Sequence, residues 1–406
     1  MIIKILKLGA IVLASCVAIT TTLAQDKQVK LSNTDIIKLD FKSLAKKKAQ
    51  LKVNDAALLP AYDALIKIAD ELLQYKPVSV MDKTDLPPSG NKHDYMSIGP
   101  YWWPNPNTPN GLPYIRKDGE VNPEVRNYPD KENMPKLCEA VYNLSLAYYF
   151  SDNEKYAQHA TKLLEVWFLD TATQMHPNLN YGQAIKGVIE GRAEGVIDTR
   201  QFIFALDGVT LLKGSKAWTN EKDVALKQWF SLFLNWLNSS KIGKDEMDAK
   251  NNHGVWFDAQ TLAIALYVGN NAEANEIVTR AAKRLDIQAN KDGLFPYELE
   301  RTTSLHYSVF IMNAFNVIAK LSEQTNTNFW AIETPSGKSF KKCVETIVPF
   351  ITKQKIWTYP EIRPFQVTDA YPLLLHAGNK YEHPEYLDFI KTTAKGNYNK
   401  LLLNLF

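Results

Sequence analysis

Apolar residues recur at i, i+3 and i+4 spacing along most of this chain, and no stretch alternates apolar with polar positions as a half-buried strand would. The spacing predicts helices over 136–150, 154–168, 200–212, 221–238, 255–268, 272–289, 303–322 and 339–351. An amphipathic helix over 56–74, with Leu58, Leu65, Ile68, Leu72 and Leu73 on one side, and a short one around 42–51 precede them. Short loops rich in Gly, Asn and Asp join the later helices, such as Gly269-Asn270-Asn271 and Asn290-Lys291-Asp292-Gly293. Helices of this length on short loops pack as antiparallel pairs, and a run of such pairs closes into a ring or superhelix. The fold is therefore expected to be all-α.

Two stretches break the pattern. Residues 75–135 hold eleven of the twenty prolines and no helical period, and so long an irregular segment in a compact domain is usually functional. As a lid or cleft wall it would bring Tyr101, Trp102 and Trp103 to sugar rings, although aromatic loops are as often simply buried. Residues 357–406 are richer in aromatics and prolines and are expected to cap the ring. Residues 25–406 are read as a single domain, though the length permits two.

The first residues change the compartment. Lys4 and Lys7, the apolar run from Leu8 to Ile19 and the small residues of Thr22-Leu23-Ala24 read as a secretory leader over 1–24, cut near Gln25. The run is too short for a convincing membrane span. Leu13-Ala14-Ser15-Cys16 offers a second reading, a lipoprotein anchored through Cys16; either way the protein is expected to be periplasmic or secreted. Loss of the leader lowers the formal charge from +3 to +1, so a polyanion would need a locally basic cleft. No basic run points to nucleic acid. Cys138 and Cys343, each in a helical pattern, are read as buried free thiols, with one disulfide possible outside the cytoplasm. No spacing suggests a metal site, and no cofactor is expected. The protein is expected to be a monomer.

Polar chemistry gathers where two helices begin. Asn251-Asn252-His253-Gly254-Val255-Trp256 opens one, and Glu298-Leu299-Glu300-Arg301 leads through Thr302 to His306 and Tyr307 in the other. A helix N-terminus presents free N–H groups and a positive dipole end, which suits a carboxylate. Asn252 is a good N-cap type, and Gly254 would let a ligand approach the backbone. Amide, imidazole, guanidinium and phenol are the groups needed to cut a uronic-acid polymer by β-elimination. The C5–H is too weakly acidic until the neighbouring carboxylate is neutralised, a task for Asn252 and Arg301. A base then removes the proton and an acid protonates the departing O4. His253 is a candidate base or, if protonated, a further neutraliser. Tyr307 needs a cation such as Arg301 nearby to act as a base, since a phenol titrates near pH ~10. Each has a plainer reading: Arg301 in an ion pair with Glu298 or Glu300, His253 as a helix cap, Tyr307 as a core aromatic. His306 projects roughly 100° round the helix from Tyr307 and is kept as a substrate contact and reserve acid. Arg192, within a glycine-punctuated run from Gly187 to Gly195, and the nearby Gln183 and Arg200 are candidate cleft residues.

Asn-Asn-His-x-x-Trp, the run Gly293-Leu294-Phe295-Pro296-Tyr297-Glu298-Leu299-Glu300-Arg301 with its following Tyr307, and Asp94-Tyr95-Met96-Ser97-Ile98-Gly99-Pro100-Tyr101-Trp102-Trp103-Pro104 together resemble the alginate-lyase superfamily. They are most similar to polysaccharide lyase family 38 and more distantly to family 5, because Arg301 and Tyr307 stand one residue closer than in family 5. The resemblance spans about 93–310 and implies an (α/α) toroid or incomplete barrel of about six to seven helical hairpins. It also implies that Tyr307 serves as acid, and as base too where proton and leaving group share a face, with His253 as base where they do not. Mannuronate and guluronate differ in that geometry, so alginate is the expected substrate. A glucuronan lyase would carry the same machinery. A toroidal glycoside hydrolase using two of Asp258, Glu298 and Glu300, or a non-catalytic carbohydrate-binding protein, are readings of other classes.

Overall fold

Helix limits in the structure, a computed structural model that describes residues 40–394, follow capping chemistry more closely than apolar period. The first helices are α1 (Phe41–Lys52), started by the Asp40 side chain, and α2 (Leu59–Leu72), with Pro60 in its first turn. Then come α3 (Pro129–Ser151), α4 (Glu154–Leu164), α5 (Phe202–Leu212), α6 (Asn220–Ser239) and α7 (Lys241–Met247). The remainder are α8 (Asn252–Val268), α9 (Asn271–Gln288), α10 (Pro296–Leu299), α11 (Ser304–Leu321), α12 (Phe340–Ile351), α13 (Tyr371–Lys380) and α14 (Pro384–Ala394). Gly269 ends α8 at φ 82, a left-handed cap that a side chain would strain.

The helices pack as an all-α toroid. α3 touches α5, α5 touches α8, α8 touches α11 and α11 touches α13, while α2 and α4 lie against α3, α6 against α8, α9 against α8 and more lightly α11, and α14 against α13. Nearly every residue of α5 and α8 is buried, the signature of helices enclosed on all sides, whereas α9 buries one stripe. Phe168, Phe202, Trp229, Phe230 and Phe233 interlock edge to face in the core.

Four expectations are corrected. The irregular stretch ends at Pro129, not Pro135, because Pro129 occupies N1, where its missing N–H costs nothing, and the helix carries Pro135 inside it. Residues 75–135 also hold short strands. β1 (Met96–Ile98) pairs in parallel with β4 (Tyr181–Ala184), and β2 (Trp102–Trp103) pairs antiparallel with β3 (Ile115–Arg116). The segment from 200 splits, residues Ala193–Gln201 forming a 3-10 helix before α5. The last turn after α4 widens to a π-helix, Glu165–Leu169. In the C-terminal segment α13 packs on α11 as part of the ring wall, with α14 against α13. Cys138 and Cys343 are buried free thiols. Among the described residues no helix is long and apolar enough to cross a membrane. The leader, Cys16 and the last residues of the chain lie outside the described residues.

Candidate active site

Both candidate segments do stand at helix starts, but the chain fills the anion-receptive positions itself. Asn251, not Asn252, caps α8, its side chain accepting from the His253 amide. Asn252 follows inside the helix, donating its backbone N–H to Glu298 Oε1 at 2.6 Å and its side-chain amide to Glu298 Oε2 at 2.8 Å. Glu298 is thus a built-in carboxylate on the dipole's positive end. Burial raises its pKa, against the hydrogen bonds from Asn252 and the charges of Arg301 and His253. At α11 Glu361 takes the same place, accepting the Leu305 N–H at 2.8 Å. Gly254 serves packing, not ligand approach: a Cβ there would meet Ala249 O at 2.2 Å and Arg284 Nη1 at 2.5 Å.

His253 gains a partner that no motif announced. Its Nδ1 lies 2.7 Å from Glu246 Oε1, on α7, leaving Nε2 as the proton-accepting nitrogen when the ring is neutral. Burial works to lower the imidazole pKa, but Glu246 first, then Glu194 and Glu298, outweigh it and the net shift is upward. Burial likewise raises the Glu246 carboxyl, countered by His253.

Arg301 joins neither Glu298 nor Glu300. Its Nε and Nη2 reach Asp118 at 3.1 and 2.7 Å, a two-pronged pair with a residue just after β3, and Asp118 also receives the Thr302 hydroxyl. Despite partial burial, Arg301 above all holds the Asp118 carboxyl down to about 2. The guanidinium of Arg301 lies 3.5 Å from the Tyr307 ring centroid, a face-on cation–π contact. The Tyr307 hydroxyl is 2.6 Å from that of Tyr101. Arg301 pulls the Tyr307 pKa down, yet burial, with Tyr101 beside it, prevails and the phenol is raised above its ordinary value. At neutral pH Tyr307 therefore holds its proton. Tyr101, one of the rings considered for stacking on sugars, is a hydrogen-bonding neighbour of the phenol.

A third group flanks these. Gln183 sits at φ 50, a strained backbone for a non-glycine residue, and is buried. Its side chain donates to Asp198 at 2.9 Å, while its two carbonyl oxygens accept from Arg192 at 2.9 and 3.0 Å. Gln183 therefore positions Arg192, whose other amino group meets Glu194 at 2.7 Å. Arg192 stacks 5.9 Å from the half-buried Trp102, and burial lowers its pKa. Trp103 is on the outer edge of the β2–β3 ribbon, donating to Glu120 O and covered by Lys117. His306 turns away from the Tyr307 hydroxyl towards Asp369 and the parallel ring of Phe310.

Two of the three carboxylates of the hydrolase reading are occupied, and the third, Glu300, is exposed on the surface. Asp258 is fully buried between Arg280 and Arg284, at 2.7 and 2.6 Å, and Glu298 is held by Asn252. Among the described residues no group of three or more His, Cys, Asp or Glu side chains is arranged to hold a metal ion. Sequence reading missed Glu246 and Asp118. Glu246 carries no signal, being on a separate short helix, whereas the Asp118-Gly119 pair marks a tight turn and would have flagged the ribbon end.

Comparison with known proteins gives one family. The alginate lyase family model matches residues 79–357. The structure is similar to that of an alginate lyase from Bacteroides ovatus, with a TM-score of 0.86 and 37% identity over 92% of this chain and 99% of that one. It also shares the fold of alginate lyase A1-III from Sphingomonas species A1, at a TM-score of 0.51 and 15% identity over 80% of this chain and 89% of that one. No curated protein sequence matches.

Proposed function

The chain belongs to the alginate lyase family of polysaccharide lyases, and on that premise we propose that it depolymerises alginate by β-elimination outside the cytoplasm. The observation that supports this best is the pairing of a proton-holding phenol, Tyr307 under Arg301, with a proton-accepting imidazole, His253 on Glu246. Both share an electrostatic field, since Arg301 and His253 each act on Glu298.

In the proposed reaction Tyr307 gives its proton to O4 as that bond breaks, and the electrons of the C5–H bond form the C4–C5 double bond. Tyr101, hydrogen-bonded to the phenol, orients and resupplies it. The C5 proton goes to His253 Nε2 where it lies opposite the leaving group, with Glu246 stabilising the imidazolium that results. Where the two share a face, Tyr307 would act as the phenolate, after losing its proton to solvent, taking the C5 proton and passing it on to O4, with Tyr101 hydrogen-bonded beside it. Charge developing at the substrate carboxylate is met by the second N–H of the Asn252 amide and by the Arg301 edge that Asp118 leaves uncovered. The spacing from Arg301 to Tyr307, one residue shorter than in family 5, supports polysaccharide lyase family 38 as the nearer relative. Glucuronan remains the second substrate class, because the same groups would serve a β-1,4-glucuronate.

Purified protein on polymannuronate, polyguluronate and glucuronan tests this. Ultraviolet absorbance from unsaturated uronate ends is expected with one or both alginate blocks. New reducing ends without that absorbance would mean hydrolysis, and unchanged polymer length with measurable binding would mean a carbohydrate-binding protein.

A further inference from the structure

A cavity of about 680 Å³ runs beside α11 and is not lined by His253, Arg301 or the other groups assigned to the elimination. His306, Phe310, Asn313 and Lys320 project into it from one face of α11, facing α13, with Arg200 and Trp256 closing the side towards α5 and α8. It adjoins the reaction centre. The Tyr307 ring stands edge-on to both His306 and Phe310, with centroids 5.3 and 6.3 Å away.

We infer that this cavity is a subsite for a short uronate oligosaccharide, with Arg200 as the partner of its carboxylate. The inference rests on the uronan-lyase reading above. The volume falls in the range of roughly 300–1,000 Å³ typical of sites for small ligands. Its walls offer what a uronate needs. Flat rings stack on sugar faces: His306 and Phe310 are parallel within 9°, and Trp256 tilts over Phe310 at 5.1 Å. Among the cations of the wall, Lys320 and Lys380 are already paired with Glu323 and His306 with Asp369, and Asp40, also on the wall, accepts from the Ser43 N–H. Arg200 is the exception. Its recorded partners are the Ile197 carbonyl at 3.2 Å and the Phe310 ring at 5.5 Å, and the neighbouring Asp198 is held by Lys131 and Gln183. A half-buried guanidinium whose neighbouring carboxylate, Asp198, is already held by other donors favours an anionic ligand over an apolar one.

The test has two arms. In the first, Tyr307→Phe protein, which should bind without turnover, is titrated calorimetrically with a mannuronate tetrasaccharide, alone and combined with Arg200→Ala or His306→Ala. Each second substitution is expected to weaken binding about tenfold or more. In the second, Arg200→Ala and His306→Ala enzymes are expected to raise KM by about tenfold, to lower kcat much less, and to shift the length distribution of final products. Binding within twofold of the parent and an unaltered product distribution, in variants with native circular dichroism, would overturn the subsite. If Arg200→Ala does not fold, His306→Ala decides alone. Tetrasaccharide binding that needs Arg200, in a wild-type protein that yields no unsaturated product, would support the subsite while overturning the lyase reading.

Discussion

Asp118→Asn distinguishes between two jobs for Arg301. Asp118 occupies two donors of the Arg301 fork at 2.7 and 3.1 Å, with both side chains largely buried at 22% and 15% exposure. If the substrate carboxylate needs that fork, Asp118 competes with substrate, and neutralising it should lower KM. If Asp118 holds Arg301 flat over Tyr307 instead, the loss should appear in kcat. The geometry favours the second. Asp118 is itself anchored by Thr302 and Arg116, and Gly119 beside it packs so closely that a Cβ would meet Thr302 Oγ1 at 2.5 Å. Opposite charges at this range are worth about 4 kcal/mol before desolvation at an effective dielectric near 20, and charged hydrogen bonds about 1.5–3 kcal/mol net. Asparagine keeps one acceptor and loses the charge, so a loss of about 2 kcal/mol in Arg301 placement is expected, or ~30-fold in kcat. KM should change less than about threefold. Steady-state kinetics on polymannuronate, with thermal melts to check folding, provide the measurement. A KM that falls while kcat holds would refute the positioning role and make Asp118 a competitor for the fork.

Tyr307→Phe keeps the ring's packing and removes its proton, so kcat should fall by more than about a hundredfold on every cleaved substrate; a folded variant above about a tenth of wild-type turnover would remove Tyr307 as the acid. His253→Ala should impair polyguluronate more than polymannuronate, and equal losses on both would favour carboxylate neutralisation over proton abstraction. Glu246→Gln removes the charge that raises the His253 pKa while burial remains, so the imidazole stays neutral to lower pH. The acid limb of kcat/KM on polyguluronate should then move to lower pH, with a reduced plateau; a limb that does not move would show that another group controls it.

The helical architecture could be read from residue order alone because burial imposes the 3.6-residue period locally. Leu44, Leu65 and Leu285 repeat that period whatever their partners, and caps such as Asp40, Ser339 and Gly269 set the boundaries within a few residues. The same held for the residue types of the candidate site, since Asn252, His253, Arg301 and Tyr307 lie in two short runs. Partners are another matter. Asp118 is 183 positions from Arg301, and Tyr101 is 206 from Tyr307. No local period links such pairs, and only the closure of the β2–β3 ribbon onto the ring brings them together. Tertiary structure also decided which charges are available. Glu298 and Asp258 looked like free carboxylates until the fold placed an amide on one and two arginines on the other. A side chain's type is fixed by the sequence, but its charge, its proton and its freedom to meet a substrate depend on what the fold desolvates and pairs with it.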